Sequence, residues 1–410
     1  MKIKQAPLSK FVKINPEGIT QGYPYQVIEY IDISSTGSGQ LIEQPEEIML
    51  KDAPSRAKRI VRDNDIILAT VRPNLRSFLF IKNPNDNTVV STGFAVLRAK
   101  ETADPRFIYY TITDSRFTGY LTNNTKGTSY PAVDSDIVLR GNIPDFDFKK
   151  QQYIGEVLFS YDDLIDTNRR RIQFLEESAR LLFREWFVYF RFPGHEKVKI
   201  VDGVPEGWIK EPLSELVTTQ YGYTETASQE EIGPKFLRGK DINKTSYIDW
   251  GSVPYCSNKK LDFRKYSLSQ GDILIIRMAD PGKVGIVEVE IDAIFASYLV
   301  RLKVINKSIS PYFLFYSLLD EKYQKFIVGA STGSTRKSAS AKLIVDYNLL
   351  IPKKKIIDSF NNQITPLRKE ITILLQQNQK LVQARDLLLP RLMNGKIDVS
   401  ELHTKIPEEA

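Results

Sequence analysis

The chain has 410 residues, 42% of them hydrophobic, and a formal net charge of +7, which is enough for two or more domains with their own cores. One cysteine, Cys256, excludes intramolecular disulfides, and with only His195 and His403 it cannot complete a zinc site of thiolates and imidazoles. No long apolar run occurs and the start MKIKQAPLSKFV lacks a signal-peptide core, so we expect a cytoplasmic protein. The basic balance favours an acidic partner such as nucleic acid.

Residues 1–150 have the pattern of a mixed α/β domain. Strand-like runs at Ile66–Thr70, Ser77–Ile81 and Val89–Leu97 are separated by proline, asparagine and aspartate turn signals. A helical period, FIYYTITDSRFTGYL, follows Pro105, and after a polar loop a short strand leads into Pro144. We therefore predict one globular domain in this part of the chain.

Two long segments have the apolar period of helices that bury one seam. In residues 151–187 the repeating positions, with Asn168 filling a gap, are Val157, Tyr161, Leu164, Ile172, Leu175, Ala179, Leu182 and Trp186. In residues 356–394, with Asn378 on the seam, they are Phe360, Ile364, Leu367, Ile371, Leu374, Leu381, Arg385 and Leu388.

Details within these two helices carry separate predictions. The two seam asparagines are expected to fix register rather than to bind a ligand. Pro366 predicts either a kink or the start of the main second helix, with Thr365 as its N-cap. Pro390 and the Asn394-Gly395 turn predict where that helix ends.

The same order of motifs occurs twice. The anchors are separated by 207, 206, 206 and 208 residues: Asp65 and Asp272, Pro105 and Pro311, Gly127 and Gly333, Pro144 and Pro352. Such constant spacing indicates a duplicated unit of one globular domain followed by one long helix. We predict an α+β protein with tandem α/β domains at residues 1–150 and 209–355 and internal pseudo-twofold symmetry. The two helices would run antiparallel as a coiled-coil spacer, with a linker at 188–208 and a C-terminal tail at 395–410.

The sequence contains no recognisable catalytic motif. The glycines around Gly329 and Gly333 have the wrong spacing for a phosphate-binding P-loop, and no nucleophile elbow or methyltransferase tetrad occurs. The aromatic segment FREWFVYFRFPG, residues 183–194, suits either a platform for stacking bases or, as we favour, core packing where it continues a helical seam. We interpret the chain as non-enzymatic.

Basic and hydroxyl-rich loops lie at matching positions of the two halves. Such side chains suit phosphate oxygens and base edges, although most surface loops of this composition are only solvated turns. Their recurrence in a basic chain favours DNA binding. The candidate DNA-binding residues are Arg72, Asn74, Arg76, Lys126, Thr128, Ser129 and Tyr130 in the first half, and Arg277, Lys283, Ser334, Thr335, Arg336 and Lys337 in the second.

Several stretches resemble the specificity subunit of type I restriction-modification systems. They are LLFREWFVYFRFPG with the following VPEGW, QNQKLVQARDLLLPRLMNGKIDV, GDILIIRMADPGKVGIV and STGSTRKS. The resemblance covers nearly the whole chain and implies two target recognition domains, each reading one half of a split DNA sequence. It also implies two modification (methyltransferase) subunits that bring S-adenosylmethionine, and restriction subunits that use ATP and Mg, with no cofactor in this chain.

The sequence therefore predicts a non-catalytic DNA-recognition subunit that positions methyltransferase and restriction subunits on a bipartite target. Two alternatives stay open at this point. One is a stand-alone enzyme acting on DNA through carboxylates that converge on a metal, and the other is a protein-binding scaffold without DNA contact.

Overall fold

The computed structural model describes residues 3–127, 130–257, 263–331 and 337–397. Contacts divide the chain into two compact units, with unit 1 made of Met1–Ile165 and Lys380–Ala410 and unit 2 of Asp166–Gln379. Each unit mixes strands and helices, so the predicted α+β class with tandem α/β domains is confirmed. No helix in the described part of the chain combines the length and the apolar character that a bilayer crossing requires.

Unit 1 contains the first globular domain and the beginning of the first long helix. Its strands are β1 (Gln5–Pro7), β2 (Val12–Ile14), β3 (Val27–Ile31), β4 (Glu46–Met49), β5 (Ala57–Ile60), β6 (Ile66–Ala69), β7 (Phe78–Phe80), β8 (Thr88–Ser91), β9 (Phe94–Ala99) and β10 (Asn142–Pro144). Its helices are α1 (Pro105–Thr113), α2 (Ser115–Asn123), α3 (Ser135–Arg140) and the first part of α4 (Phe148–Phe183).

The strands of unit 1 form two four-stranded sheets and a two-stranded ladder. One sheet is antiparallel with the order β2-β9-β6-β7, and the other has the order β4-β3-β8-β5 with β3 and β8 parallel. The single strand predicted at Val89–Leu97 is wrong, because β8 and β9 belong to different sheets. The chain turns at Gly93, where an added Cβ would come within 2.4 Å of the end of the Ile33 side chain and displace it.

The single helical period predicted after Pro105 is also two helices. Asp114 has extended backbone (φ −61°, ψ 143°), and its carboxylate accepts a hydrogen bond from the Arg116 backbone N–H, which caps α2. Capping favours a new helix start over continuation. The residues Phe107, Ile108, Tyr109 and Tyr110 are buried in the unit 1 core, which confirms α1 as a core helix.

Unit 2 repeats these elements. Its strands are β11 (Ile200–Val201), β12 (Val204–Pro205), β13 (Ile209–Pro212), β14 (Val217–Tyr221), β15 (Ala227–Ser228), β16 (Lys235–Leu237), β17 (Tyr255–Cys256), β18 (Ile273–Ile276), β19 (Met278–Ala279), β20 (Val284–Ile286), β21 (Ala293–Phe295), β22 (Leu299–Val304), β23 (Lys337–Ser338) and β24 (Asn348–Ile351). Its helices are α5 (Leu213–Leu216), α6 (Pro311–Leu319), α7 (Glu321–Ala330), α8 (Ala341–Val345) and the first part of α9 (Lys354–Met393).

The duplication predicted from the anchor spacing is visible in the strand order. The unit 2 sheet β14-β22-β18-β20 matches β2-β9-β6-β7, and β13 pairs with β24 as β1 pairs with β10. Asp65 and Asp272 are both buried and accept a backbone N–H three residues upstream, at 2.8 Å from Arg62 and 2.9 Å from Ser269. Each carboxylate therefore closes the turn that starts a central strand.

The long helices α4 and α9 pair antiparallel in both units, as predicted. In unit 2, Ile172 packs with Ile371 and Leu374, and Asn168 Nδ2 donates to Asn378 Oδ1 at 2.9 Å. In unit 1, Arg385 of α9 pairs with Asp162 of α4. Lower residue numbers on α4 thus meet higher residue numbers on α9.

Two predictions about these helices were wrong. Leu164 is 53% exposed, and Ile165 occupies the buried position instead, because Ile154 and Leu158 pack on the unit 1 core and set the phase of the seam one residue later. Pro366 does not begin the helix and Pro390 does not end it, since α9 runs unbroken through both, although its end at Met393 agrees with the predicted Asn394-Gly395 turn. Both prolines are exposed, and buried residues on either side hold the helix: Ile364, Arg368, Leu392 and Met393.

The aromatic segment after α4 packs in the core of unit 2 rather than presenting a stacking surface. A π-helical turn at Arg184–Val188 continues α4. Trp186, Phe187 and Phe192 are buried with Trp208, and the rings of Phe187 and Phe360 meet edge-to-face at 4.9 Å. Cys256 is buried as well, which agrees with its predicted place in the interior.

Candidate nucleic-acid interface

In unit 1 the structure brings the two predicted loops together at one end of strand β6. The backbone N–H of Arg72 donates to Pro131 O at 2.7 Å, and Val133 N–H donates to Thr70 O at 2.9 Å. Lys126 and Ala132 pair as an isolated antiparallel bridge. Residues 70–76, 126–127 and 130–133, which lie far apart in the sequence, therefore form one surface, called here loop pair 1.

Two basic side chains and one aromatic side chain of loop pair 1, those of Arg72, Lys126 and Tyr130, are exposed. Arg72 lies over the ring of Tyr130 at 4.6 Å, and Tyr130 is 69% exposed. Lys126 Nζ lies 3.2 Å from Asp134 Oδ2. The Ile137 backbone N–H and then Lys126 lower the pKa of Asp134. The Asp134 carboxylate is therefore charged at neutral pH and offsets part of the positive charge of Lys126.

Arg76 belongs to the same loop but has a structural partner. Its guanidinium donates to Thr113 O, the last residue of α1, at 2.8 Å and lies over Phe78 at 5.7 Å. A cation at a helix C-terminus satisfies carbonyls that have no helical partner. Among the candidates of loop pair 1, Arg72 and Asn74 are exposed, while Arg76 ties the loop to the domain.

Backbone strain marks this loop. Arg72 and Arg76 have φ values of 48° and 57°, in the left-handed region that favours glycine. Strained residues persist only where the surroundings enforce them, and they concentrate at functional sites. Here the bonds to Pro131 and Thr113 supply that enforcement.

Unit 2 has an equivalent surface, made of residues 277–283 and 337–339 and called here loop pair 2. Strand β19 pairs with β23, so that Ala279 faces Lys337, and Ala339 N–H donates to Arg277 O at 2.8 Å. Arg277 lies over the ring of Tyr221 at 4.9 Å, an arrangement like that of Arg72 over Tyr130. Lys283 and Lys337 are exposed.

Five of the predicted contact residues lie outside the described residues. They are Thr128, Ser129, Ser334, Thr335 and Arg336. Besides the two arginines that stack on tyrosine rings, four of the described candidates have exposed cationic or amide side chains. They are Asn74, Lys126, Lys283 and Lys337.

The sequence analysis missed a third segment beside each loop pair. In unit 1, Ser38 Oγ donates to Arg76 O at 2.8 Å, and Gly39 N–H donates to Phe78 O at 2.9 Å. In unit 2, residues that follow β16, namely Arg238, Gly239, Lys240 and Asn243, line a cleft with Met278 and Ala279. The signal was a Gly-Ser-Gly run after β3 and Arg-Gly-Lys-Asp after β16.

Comparisons with known proteins agree with this architecture. Residues 13–177 match the family model of the type I restriction modification DNA specificity domain. The HindI specificity subunit of Haemophilus influenzae is 26% identical, with 85% of this chain and 90% of that protein covered. The MjaIX specificity subunit of Methanocaldococcus jannaschii is also 26% identical, covering 82% and 78%. Over 82–85% of its length, the chain is therefore similar to specificity subunits of type I restriction enzymes.

The fold is also similar to that of a solved structure. The crystal structure of the type I restriction-modification system S subunit from M. genitalium aligns with a TM-score of 0.55 at 14% identity, covering 95% of each chain. Loop pair 1 lies inside the family-matched residues 13–177, and loop pair 2 recurs at the same place on the second domain.

Proposed function

We propose that this chain is a specificity subunit and recognises DNA through its two loop pairs, one for each half of a bipartite sequence. One observation carries the proposal: the same pairing of a basic loop with a second loop occurs at the same end of the same sheet in both units. Arg72 and Arg277 each lie over a tyrosine ring. Each loop pair of this basic chain therefore includes a planar guanidinium group. Such groups suit phosphate and base-edge contacts.

The subunit itself would be non-catalytic. Two modification subunits would supply S-adenosylmethionine and methylate an adenine, and restriction subunits would supply ATP- and Mg-dependent steps. A base inside a duplex is out of reach of a methyltransferase, so the modification subunit must extrude it. The contribution of this chain is to choose where that happens, by positioning the partner on the correct sequence.

A domain exchange tests this division of labour. Residues 209–355 are replaced with the equivalent domain of a relative that recognises another sequence, the chimaera is co-expressed with the modification subunit, and methylated adenines are mapped. We expect one half of the recognised sequence to change and the other half to stay. A change in both halves, or in neither, would contradict separate reading by the two domains.

A second experiment addresses catalysis. The purified subunit, without partners, is incubated with duplex DNA, Mg²⁺ and S-adenosylmethionine, and cleavage and methylation are measured. We expect neither product until the modification and restriction subunits are added. Turnover by the subunit alone would show that it is an enzyme.

A further inference from the structure

A cleft of about 350 Å³ lies in unit 2 beside loop pair 2. Its floor is apolar, with Phe236 and Ile276 buried beneath it and Ala296 along one wall. Met278 and Ala279 form the side that belongs to loop pair 2. The cleft is therefore part of the same surface as the predicted DNA-contacting loop, although its other wall comes from a different segment.

That other wall is a rigidly held turn. Arg238 forms two bonds to Asp241, Nε to Oδ2 at 3.0 Å and Nη2 to Oδ1 at 2.8 Å. The Arg238 backbone N–H also donates to the same carboxylate, at 2.8 Å. This bidentate pair fixes the Gly239–Asp241 turn. The exposed Lys240 of the turn and the half-buried Asn243, two residues after it, both line the cleft.

The opposite wall is also held in place, in spite of strain. Ala279 has a φ of 72°, although it carries a Cβ, and its ladder pairing with Lys337 keeps it there. Gly282 N–H donates to Ile276 O at 3.0 Å and closes the loop. Both walls of the cleft are therefore held by bonds within the domain, with an apolar floor between them.

The charges at the cleft balance one another, so the cleft suits a neutral ligand with polar edges. Glu225 accepts from the backbone N–H and hydroxyl of its neighbour Thr226, and Arg238 is paired with Asp241. Lys240 and Asp280, one cation and one anion, flank the opening. Together with the amide of Asn243, the cleft offers hydrogen-bond donors, acceptors and an apolar surface.

We propose that this cleft reads one A·T base pair in the major groove. The amide of Asn243 can bond adenine N6 and N7 together, and an apolar wall suits the thymine methyl group, which no other standard base carries. Met278 and Ala279 supply that wall, and Lys240 reaches the adjacent phosphate. The assignment rests on the proposed function and adds specificity-determining residues that the basic loops alone do not provide.

Unit 1 gives a contrast. There the segment that follows β3, the counterpart of β16, bonds directly to β7, through Phe78 N–H to Gly37 O at 3.1 Å and Gly39 N–H to Phe78 O at 2.9 Å. These bonds draw Gly37 and Gly39 onto the strand. The half-site read by unit 1 therefore serves as an internal comparison in the experiment.

The experiment uses the complex of the subunit with its modification subunit and a duplex whose sequence is taken from mapped methylation sites. Each thymine is replaced in turn with deoxyuracil, which lacks the methyl group, and each adenine with 7-deazaadenine, which lacks N7. At one A·T pair of the unit 2 half-site we expect about threefold weaker binding with deoxyuracil and about tenfold weaker binding with 7-deazaadenine.

Two variants then assign each contact. Asn243→Ala should abolish the response to 7-deazaadenine and keep the response to deoxyuracil, whereas Met278→Ala should do the reverse. Lys210→Ala, at an exposed position of β13, is the matched control and should keep both responses. Thermal unfolding of every variant checks that the fold is intact.

The outcomes separate the cleft from the proposed function. If no A·T pair of that half-site responds to both replacements, or if both variants keep both responses, the cleft does not read this base pair. A further double variant, Lys283→Ala with Lys337→Ala, tests the loop itself and should weaken binding and flatten its salt dependence. Its failure to do so would contradict the role of loop pair 2, whatever the cleft variants show.

Discussion

Arg368 of α9 and Glu288 after β20 form a buried bidentate ion pair, with Nε to Oε1 at 2.8 Å and Nη2 to Oε2 at 2.6 Å. Arg368 is 0% exposed and also lies over the ring of Phe315 at 5.3 Å. The pair joins the distal helix to the second globular domain within unit 2. At the equivalent position of α4, 206 residues earlier, unit 1 has the opposite charge, Asp162, paired with Arg385.

Removing one partner of this pair should strongly destabilise unit 2. Glu288→Ala leaves a guanidinium buried without its carboxylate, and breaking such a pair costs about 3–5 kcal/mol. We expect a lower midpoint of thermal unfolding and weaker protection of α9 amides against hydrogen exchange. The control is Glu321→Ala, which breaks the exposed pair with Lys325 and should change the unfolding midpoint little, because solvent screens surface ion pairs. Equal losses in the two variants would contradict a special role for the buried pair.

The asparagine pair on the seam should behave as a coupled unit. Asn168→Leu leaves the half-buried Asn378 amide without its partner, so the loss should lie at or below the lower end of the about 1–3 kcal/mol that an unsatisfied buried polar group costs. Replacing both asparagines with leucine removes both polar groups and should recover most of that loss. Urea unfolding of the two single variants and the double variant measures the coupling, and a double variant with the summed loss of both single changes would disprove it.

Alanine substitutions of Arg72 and Arg76, which are four residues apart, should affect different properties, DNA binding in the first case and stability in the second. Arg72→Ala should weaken DNA binding and lower the slope of log affinity against log salt by about one, with little change in stability. Arg76→Ala removes the bond to Thr113 O and should lower the unfolding midpoint. Titration of the duplex at several salt concentrations, combined with thermal unfolding, checks both. Identical behaviour of the two variants would refute the distinction.

Glu17 should make unit 1 sensitive to acid. Arg62 and then Arg98 donate hydrogen bonds to its carboxylate and lower its pKa below the usual value. Because the folded-state pKa is depressed, the stabilisation is fully present above the unfolded-state pKa of about 4.3 and is lost as the pH falls through the folded-state pKa. Glu17→Gln should therefore be less stable than the natural chain at pH 7, and the difference should shrink below about pH 4. A difference independent of pH would contradict this interpretation.

The sequence by itself determined the duplication, the two long helices and the positions of the loops. Constant separation of Asp65 from Asp272 and of Pro105 from Pro311 required only reading along the chain. The physical reason is that helix period and turn chemistry are local, since they depend on residues three or four apart. The same locality explains the errors at Leu164 and at the two prolines, where packing on the rest of the unit overrode the local pattern.

Only the tertiary structure decided which residues of the loops face outward and which segment completes each site. Arg72 and Arg76 are indistinguishable in sequence, yet only Arg76 reaches the end of α1. Lys240 and Asn243 follow β16, and Met278 follows β18. The two strands belong to different sheets of one domain, and the residues that follow them line the same cleft. Such long-range contacts arise from the burial of both sheets together, and no pattern along the chain records them.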